Sequence, residues 1–183
     1  MNATMERRLE ALRKSMAEKS LDALMVLKGE NRRYMSGFTG TDAQLDESAG
    51  ALFISGTKLI LATDARYDLQ ASAEAKEYDI LCYREGLAKA MPEICSLLDA
   101  KCMGFESVRL TFKQYHEIRE KLLAEKMDIQ LVPTENIVED IRRVKDADEI
   151  DKTRQALHIA ENAFLDIVKR LTPGMTEKEA AWL

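Results

Sequence analysis

Apolar and polar positions alternate with two different periods along this chain, and the period says which element each stretch forms. Over Glu6 to Lys19, Leu9, Leu12 and Met16 recur at helical spacing with Arg and Lys between them. That is the stripe of an amphipathic helix, with Thr4 as its candidate N-cap. Leu21-Asp-Ala-Leu-Met-Val-Leu27 is a short apolar run ended by Lys-Gly, and its length favours a buried strand. Ala51–Ile54 and Lys58–Thr63 are two more such runs, joined by Ser55-Gly56-Thr57 into a hairpin. Arg66 to Lys76 reads as helix, Tyr78 to Tyr83 as strand, and Leu87 to Leu98 as a helix with Pro92 in its first turns. Cys102 to Glu106 is a short strand. Thr111 then caps a helix with Tyr115, Ile118 and Leu122 along one face, and Ile129 to Val132 is the last strand, closed by Pro133. Strands separated by helical patterns imply an α/β layer structure, and the hairpin makes the sheet mixed.

A second regime begins near Glu135. Asn136 to Val144 reads as a short helix. Asp146 caps a long one, with Glu149 three residues later as the return half of a capping box. Ile150, Leu157, Phe164 and Leu171 repeat every seven residues, and Ala160 and Ile167 fill a second stripe. From Ala147 to Leu171 this helix would span about 37 Å at 1.5 Å per residue. A seam of that length needs a partner surface. It is expected to pack on its counterpart in another copy or to fold back on its own domain. The expected division is residues 1–135 as one domain, 136–146 as a linker, and 147–183 as the start of a second domain. Thr176 and Glu179 form another capping box with only four residues after it, and an isolated helix that short does not hold itself. The expectation is therefore the front part of a longer protein.

Composition narrows the classes. With 46% hydrophobic and 32% charged residues the chain has ordinary globular usage. Net charge is −5 and no Lys/Arg block is interleaved with aromatics, so nucleic acid is an unexpected partner. No apolar run reaches membrane-spanning length, and the N-terminus leads into a charged amphipathic stretch rather than a signal peptide. Cys82, Cys95 and Cys102 are odd in number and form no C-x-x-C pair, which suits reduced thiols in a cytoplasmic protein.

Catalytic chemistry is hard to find. His116 and His158 fall on different helices and neither has a metal-ligand context, so a zinc site is not expected. There is no nucleophile elbow, Walker A loop or dinucleotide fingerprint. Two segments stand apart from a solvated-surface reading. Asn31-Arg-Arg-Tyr-Met-Ser-Gly-Phe-Thr-Gly40 follows a strand, and its two glycines suggest a tight, specific backbone path. Thr63-Asp-Ala-Arg-Tyr67 sits where a strand ends and a helix begins, the place where ligand-facing groups collect in open α/β sheets. Asp64 could cap that helix, and Arg66 could pair with a carboxylate of the protein or of a substrate.

Together these segments resemble the creatinase/prolidase-type proteins, which include Xaa-Pro dipeptidase (prolidase) and Xaa-Pro aminopeptidase (aminopeptidase P). Asn31…Tyr34-Met-Ser-Gly-Phe-Thr-Gly40 is similar to the family's N-x-x-Y-L-[ST]-G-F-[ST]-G segment. Leu59 to Tyr67 is similar to its apolar strand followed by T-D-x-R-Y, and Ile141 to Ile150 to its interdomain segment. Leu171 to Glu179 resembles the turn after the first helix of the catalytic domain. Met35 and Ile141 depart from the usual Leu, and the loop Thr41 to Ser48 departs as well.

The resemblance implies an N-terminal domain with a mixed sheet of about six strands and helices on both faces, then the first helix of a "pita-bread" catalytic domain. It implies a metallopeptidase parent holding two divalent ions, Mn, Co or Zn, on two Asp, one His and two Glu. All five positions lie beyond Leu183, so neither a catalytic residue nor a metal ligand is carried over to this chain. It also implies a homodimer, contact with the chain's own catalytic domain, and Xaa-Pro peptides as substrates. Tyr34, Phe38, Thr39, Asp64 and Arg66, on loops after the strands, are the candidates to face the substrate cleft. A creatinase-like amidinohydrolase, or an inactive binding module of the same fold, are the alternatives.

Overall fold

Burial on both faces of the sheet explains why the central strands read as continuous apolar runs. In β1 (Ala23–Val26) every residue is buried. Ala23 and Met25 point to one face of the sheet, Leu24 and Val26 to the other, and both faces are covered. The computed structural model describes residues 3–42 and 48–183. Residues 43–47, within the loop Thr41 to Ser48, lie outside the described residues, as do residues 1 and 2.

The remaining strands are β2 (Ala51–Ser55), β3 (Leu59–Asp64), β4 (Asp79–Tyr83), β5 (Cys102–Glu106) and β6 (Gln130–Thr134). They form one six-stranded sheet in the order β4-β3-β2-β1-β5-β6. β2 runs antiparallel to both its neighbours, and every other pairing is parallel. Five strands thus share one direction and deliver their C-terminal ends to one edge. The β2–β3 hairpin closes as expected: Ser55 N–H donates to Lys58 O at 2.9 Å and the Ser55 hydroxyl oxygen accepts from Lys58 N–H at 3.0 Å.

One face is covered by α4 (Leu87–Leu98) and α5 (Phe112–Ala124), through Met91, Ile94, Ile118 and Leu122. The other is covered by α1 (Ala3–Glu18), α2 (Gly29–Ser36), α3 (Asp68–Glu74) and α6 (Ile137–Arg143), with Leu9, Leu12, Met35, Ala71 and Val138 in its core. The expected mixed sheet between helical layers is what forms.

Local differences have local causes. Thr4 lies inside α1 rather than at its cap. Pro92 sits at the sixth position of α4, which continues through it, with the Ser96 hydroxyl donating to the Pro92 carbonyl at 2.9 Å. Asn31 to Ser36, expected as loop, is helical. Its buried face is Asn31, Arg32, Met35 and Ser36, a helical spacing hidden by polar residue types. Gly37 ends α2 in the left-handed region at φ +80 and its N–H donates to Arg33 O at 2.8 Å.

The chain divides into two units, Met1–Arg142 and Arg143–Leu183. Ile137 and Val138 are buried in the first, so it runs past residue 135 and takes in much of the expected linker. The second unit holds α7 (Ala147–Arg170) and α8 (Glu177–Ala180), each opened by the capping box read from the sequence. None of its residues is buried.

Candidate functional site

Two carboxylate centres, one half-buried and one buried, stand at the strand C-terminal edge. The first is built on α2. Arg32 is fully buried, a cation the fold accepts only because acceptors surround it. Its Nη2 donates to Asp42 Oδ1 at 2.9 Å and to Gly40 O at 2.8 Å; its Nη1 donates to Gly50 O at 2.8 Å and Leu27 O at 3.0 Å. Arg109, just after β5, donates to Asp42 Oδ2 at 3.2 Å, and Ala49 N–H to Asp42 Oδ1 at 2.8 Å. Burial pushes the Asp42 carboxyl up, but the hydrogen bonds from Arg32, Ala49 and Arg109 outweigh it and hold the group below its ordinary 3.8. The Arg32–Asp42 pair thus ties the turn Gly37–Asp42 to the end of β1 and the start of β2. A Cβ at Gly40 would run into the Phe38 ring, so this turn has no room for another residue there.

The second centre is Glu106, at the end of β5. Its Oε2 accepts Leu27 N–H and Lys28 N–H, each at 2.6 Å, and its Oε1 accepts the Asn31 amide at 2.5 Å. The same amide donates to Glu139 Oε1 of α6 at 2.9 Å, and Asn31 Oδ1 accepts from Arg142 at 2.7 Å. Lys28 Nζ donates to Glu139 at 3.2 Å. Here burial prevails over the three donors, the nearby Glu139 charge adds to it, and the Glu106 carboxyl is raised above 4.5.

Of the clefts that open on this edge, two hold residues picked from the sequence. The larger, about 590 Å³, is lined by Lys28, Arg33, Phe38, Thr39, Asp42 and Arg109, among others. The smaller, about 350 Å³, is lined by Asp64, Arg66, Tyr83, Leu110 and Glu117, among others.

The five residues picked from the sequence are divided between them. Phe38 and Thr39 line the larger cleft. Phe38 is fully buried and meets Tyr67 edge to face at 6.2 Å between centroids. Thr39 is exposed, and its N–H donates to Glu74 Oε2 at 2.7 Å, which is the main reason the Glu74 carboxyl is lowered. Asp64 and Arg66 line the smaller cleft. They pair at 2.8 Å, and Arg66 N–H also donates to Asp64 Oδ1 at 2.9 Å. Asp64 therefore closes a turn rather than capping α3, whose N-cap is Tyr67. Its carboxyl is lowered chiefly by the Arg66 side chain, and above it burial raises the Tyr83 phenol to about 12. Tyr34 lines neither cleft. It lies on α2 instead of a loop, with Arg8 of α1 over its ring at 3.8 Å.

Arg32, Asp42, Arg109, Glu106 and Glu139 were not found by sequence reasoning. The burial period of α2 is the one signal that points to Arg32, and it distinguishes it from exposed Arg33. Among the described residues, no group of three or more His, Cys, Asp or Glu could hold a metal ion. Among the same residues, no helix is long and apolar enough to cross a membrane.

A family model described as the Creatinase/Prolidase N-terminal domain matches residues 8–144. An uncharacterized peptidase of Bacillus subtilis, YqhT, is 32% identical over 170 residues, 93% of this chain and 45% of that protein. The solved Xaa-Pro dipeptidase from Bacillus anthracis superposes with a TM-score of 0.83 at 32% identity, covering 96% of this chain and 46% of that one. The N-terminal domain of the cytoplasmic peptidase PepQ from Mycobacterium tuberculosis H37Rv gives a TM-score of 0.62 at 27% identity, covering 73% of this chain and 97% of that domain. The chain spans about half the length of the curated relatives it matches.

Proposed function

The chain belongs to the creatinase/prolidase N-terminal domain family, and on that premise we propose that it is the non-catalytic half of a metal-dependent Xaa-Pro peptidase. In this reading it shapes the substrate cleft and supports a homodimer of a cytoplasmic enzyme. Two divalent ions, Mn, Co or Zn, would be held by a segment outside these 183 residues and would supply an activated water for amide hydrolysis there.

One observation carries the cleft-shaping role. The turn Gly37–Asp42, which walls the 590 Å³ cleft, is fixed by a fully buried guanidinium rather than left to the loop's own preferences. Walls of binding clefts need that rigidity, because ordering a loop at the moment of binding subtracts from affinity. Exposed Arg33 and half-buried Lys28, with apolar Phe38 beneath, suit one end of a short peptide.

The test is turnover. This chain alone, with Mn²⁺ and Xaa-Pro dipeptides, is expected to release no product. Joined to the part of the Bacillus anthracis dipeptidase that the match leaves uncovered, it is expected to cleave them. Metal-dependent turnover by the chain alone, or a folded joined protein that stays inert, would count against the reading.

A further inference from the structure

We propose that Glu106, Asn31 and Glu139 form a proton-operated latch on α6: a proton held by the two carboxylates fastens the helix to the sheet, and its loss loosens the helix. Glu106 ends β5, Asn31 lies in the first turn of α2, and Glu139 is on α6. The chain brings them together only by folding.

The two carboxylates compete for one amide. Asn31 is fully buried, and its single NH2 group donates to Glu106 Oε1 at 2.5 Å and to Glu139 Oε1 at 2.9 Å. A neutral group thus stands between two acids. When both are ionised they repel, and one proton relieves the pair. That proton belongs on Glu106, which is 6% exposed and has three neutral donors, the N–H groups of Leu27 and Lys28 and the Asn31 amide. The Glu139 side chain is 25% exposed and has Lys28 Nζ at 3.2 Å. The other charged groups nearby are Glu135, which lines the same cleft, and Arg142, which donates to Asn31 Oδ1 at 2.7 Å.

α6 is the element that responds. At seven residues it is too short to hold itself, so it stays only where its contacts keep it. Ile137 and Val138 are buried in its first turn, and further along Glu139 and Arg142 both bond Asn31. A cleft of about 240 Å³ is lined by Glu106 and Thr134 and, from α6, by Ile137, Val138 and Glu139. Water that enters there when α6 draws back solvates an ionised Glu106, so ionisation favours the loosened helix. Burial, with the Glu139 charge added, raises Glu106 above 4.5, while at Glu139 burial is outweighed by the Asn31 amide and Lys28. A carboxyl raised on folding lends stability that is full below 4.5 and is lost as pH rises through its folded value. The latch is tight in mild acid and slack toward neutral pH. The Lys28–Glu139 pair by itself gives the opposite sign or none, since Glu139 is lowered.

The latch lies inside the first unit and is independent of the peptidase reading. Hydrogen exchange reads one and turnover the other, so they fail separately.

Hydrogen exchange of the 183-residue chain, corrected for the intrinsic effect of pH on exchange, is the experiment. Between about pH 4.5 and about pH 7.5 the α6 amides should lose protection about threefold to tenfold, while those of α5 keep theirs. Carbon-13 NMR of the glutamate carboxyls should give Glu106 the same midpoint as the loss of protection. Glu106→Gln should abolish that loss. Glu139→Gln, which changes a partly exposed group and keeps an acceptor for Asn31, should lower both midpoints together, and it remains readable if Glu106→Gln fails to fold. Protection of α6 that stays level or rises with pH, a Glu106 midpoint apart from that of α6, or midpoints that separate in Glu139→Gln would each overturn the proposal.

Discussion

Asp42 and Glu106 stand at the same edge of one sheet, each accepts at least three hydrogen bonds, and their carboxyls are moved in opposite directions. Asp42 is lowered and Glu106 raised. The difference lies in burial, deeper at Glu106 than at half-buried Asp42, and in the donors. Two guanidinium groups face Asp42, whereas two backbone amides and one side-chain amide face Glu106 with a second carboxylate close by. Neutral donors satisfy a buried carboxylate without repaying the loss of water, and cations do both. The Asp42 centre is accordingly a charged clamp on the cleft wall. The Glu106 centre is a neutral-leaning knot that ties β1 and β5 to α2 and α6.

Breaking the clamp should cost most. Arg32→Ala leaves Gly40 O without the guanidinium and strips Asp42 and Gly50 O of their Arg32 donor, with Arg109 and Ala49 still on Asp42 and the Ser48 hydroxyl still on Gly50 O; removing one member of a buried pair typically costs about 3–5 kcal/mol. Urea unfolding of the variant should report a loss of that order. A loss below about 1 kcal/mol would mean that water replaces the guanidinium and that the pair is not a clamp.

Cutting the knot comes next. Asn31→Ala removes the donor shared by Glu106 and Glu139 and the acceptor of Arg142, and a cost of about 1–3 kcal/mol is expected by the same assay.

The pH dependence then sharpens the contrast. Asp42 has a folded value below its unfolded one, so its contribution is present above 3.8 and is lost as pH falls through the folded value. Glu106 has the opposite sign: its folded form binds the proton more readily, so the stability it lends is lost as pH rises from 4.5 through its folded value. Unfolding free energy measured against pH should flatten on its acid limb in Asp42→Asn. Equal acid limbs in the two proteins would contradict the assignment.

The smallest effect belongs to the rim. Thr39→Ala removes hydrogen bonds to Glu74 and Gln70 that are exposed to water, and stability should stay within about 0.5 kcal/mol by thermal unfolding.

These contrasts also mark what could be read from the chain. α1, the β2–β3 hairpin, α5 and α7 announce themselves because their stripes are apolar, and residues such as Leu9, Phe53 and Ile118 go where the period puts them. α2 does not, because its inward face is built from Asn31, Arg32 and Ser36, and a polar residue on an inward face looks like a loop. The site followed the same rule. Asp64 and Arg66 were visible because a motif frames them, but their roles were not, since the Asx-type turn between them depends on backbone geometry. Glu106 and Asp42 each look like one more surface acid in a chain with 32 of them, and only the fold brings their donors across from distant positions.

Kinetics of the joined protein bear on whether this chain lends a wall or chemistry. Arg33→Ala removes an exposed cation from the larger cleft without touching the Arg32 clamp. Steady-state rates on an Xaa-Pro dipeptide should give a KM raised about threefold to tenfold with kcat unchanged, the signature of lost uniform binding. A kcat that falls at unchanged KM would contradict the account, because it would put a group of this chain in the transition state.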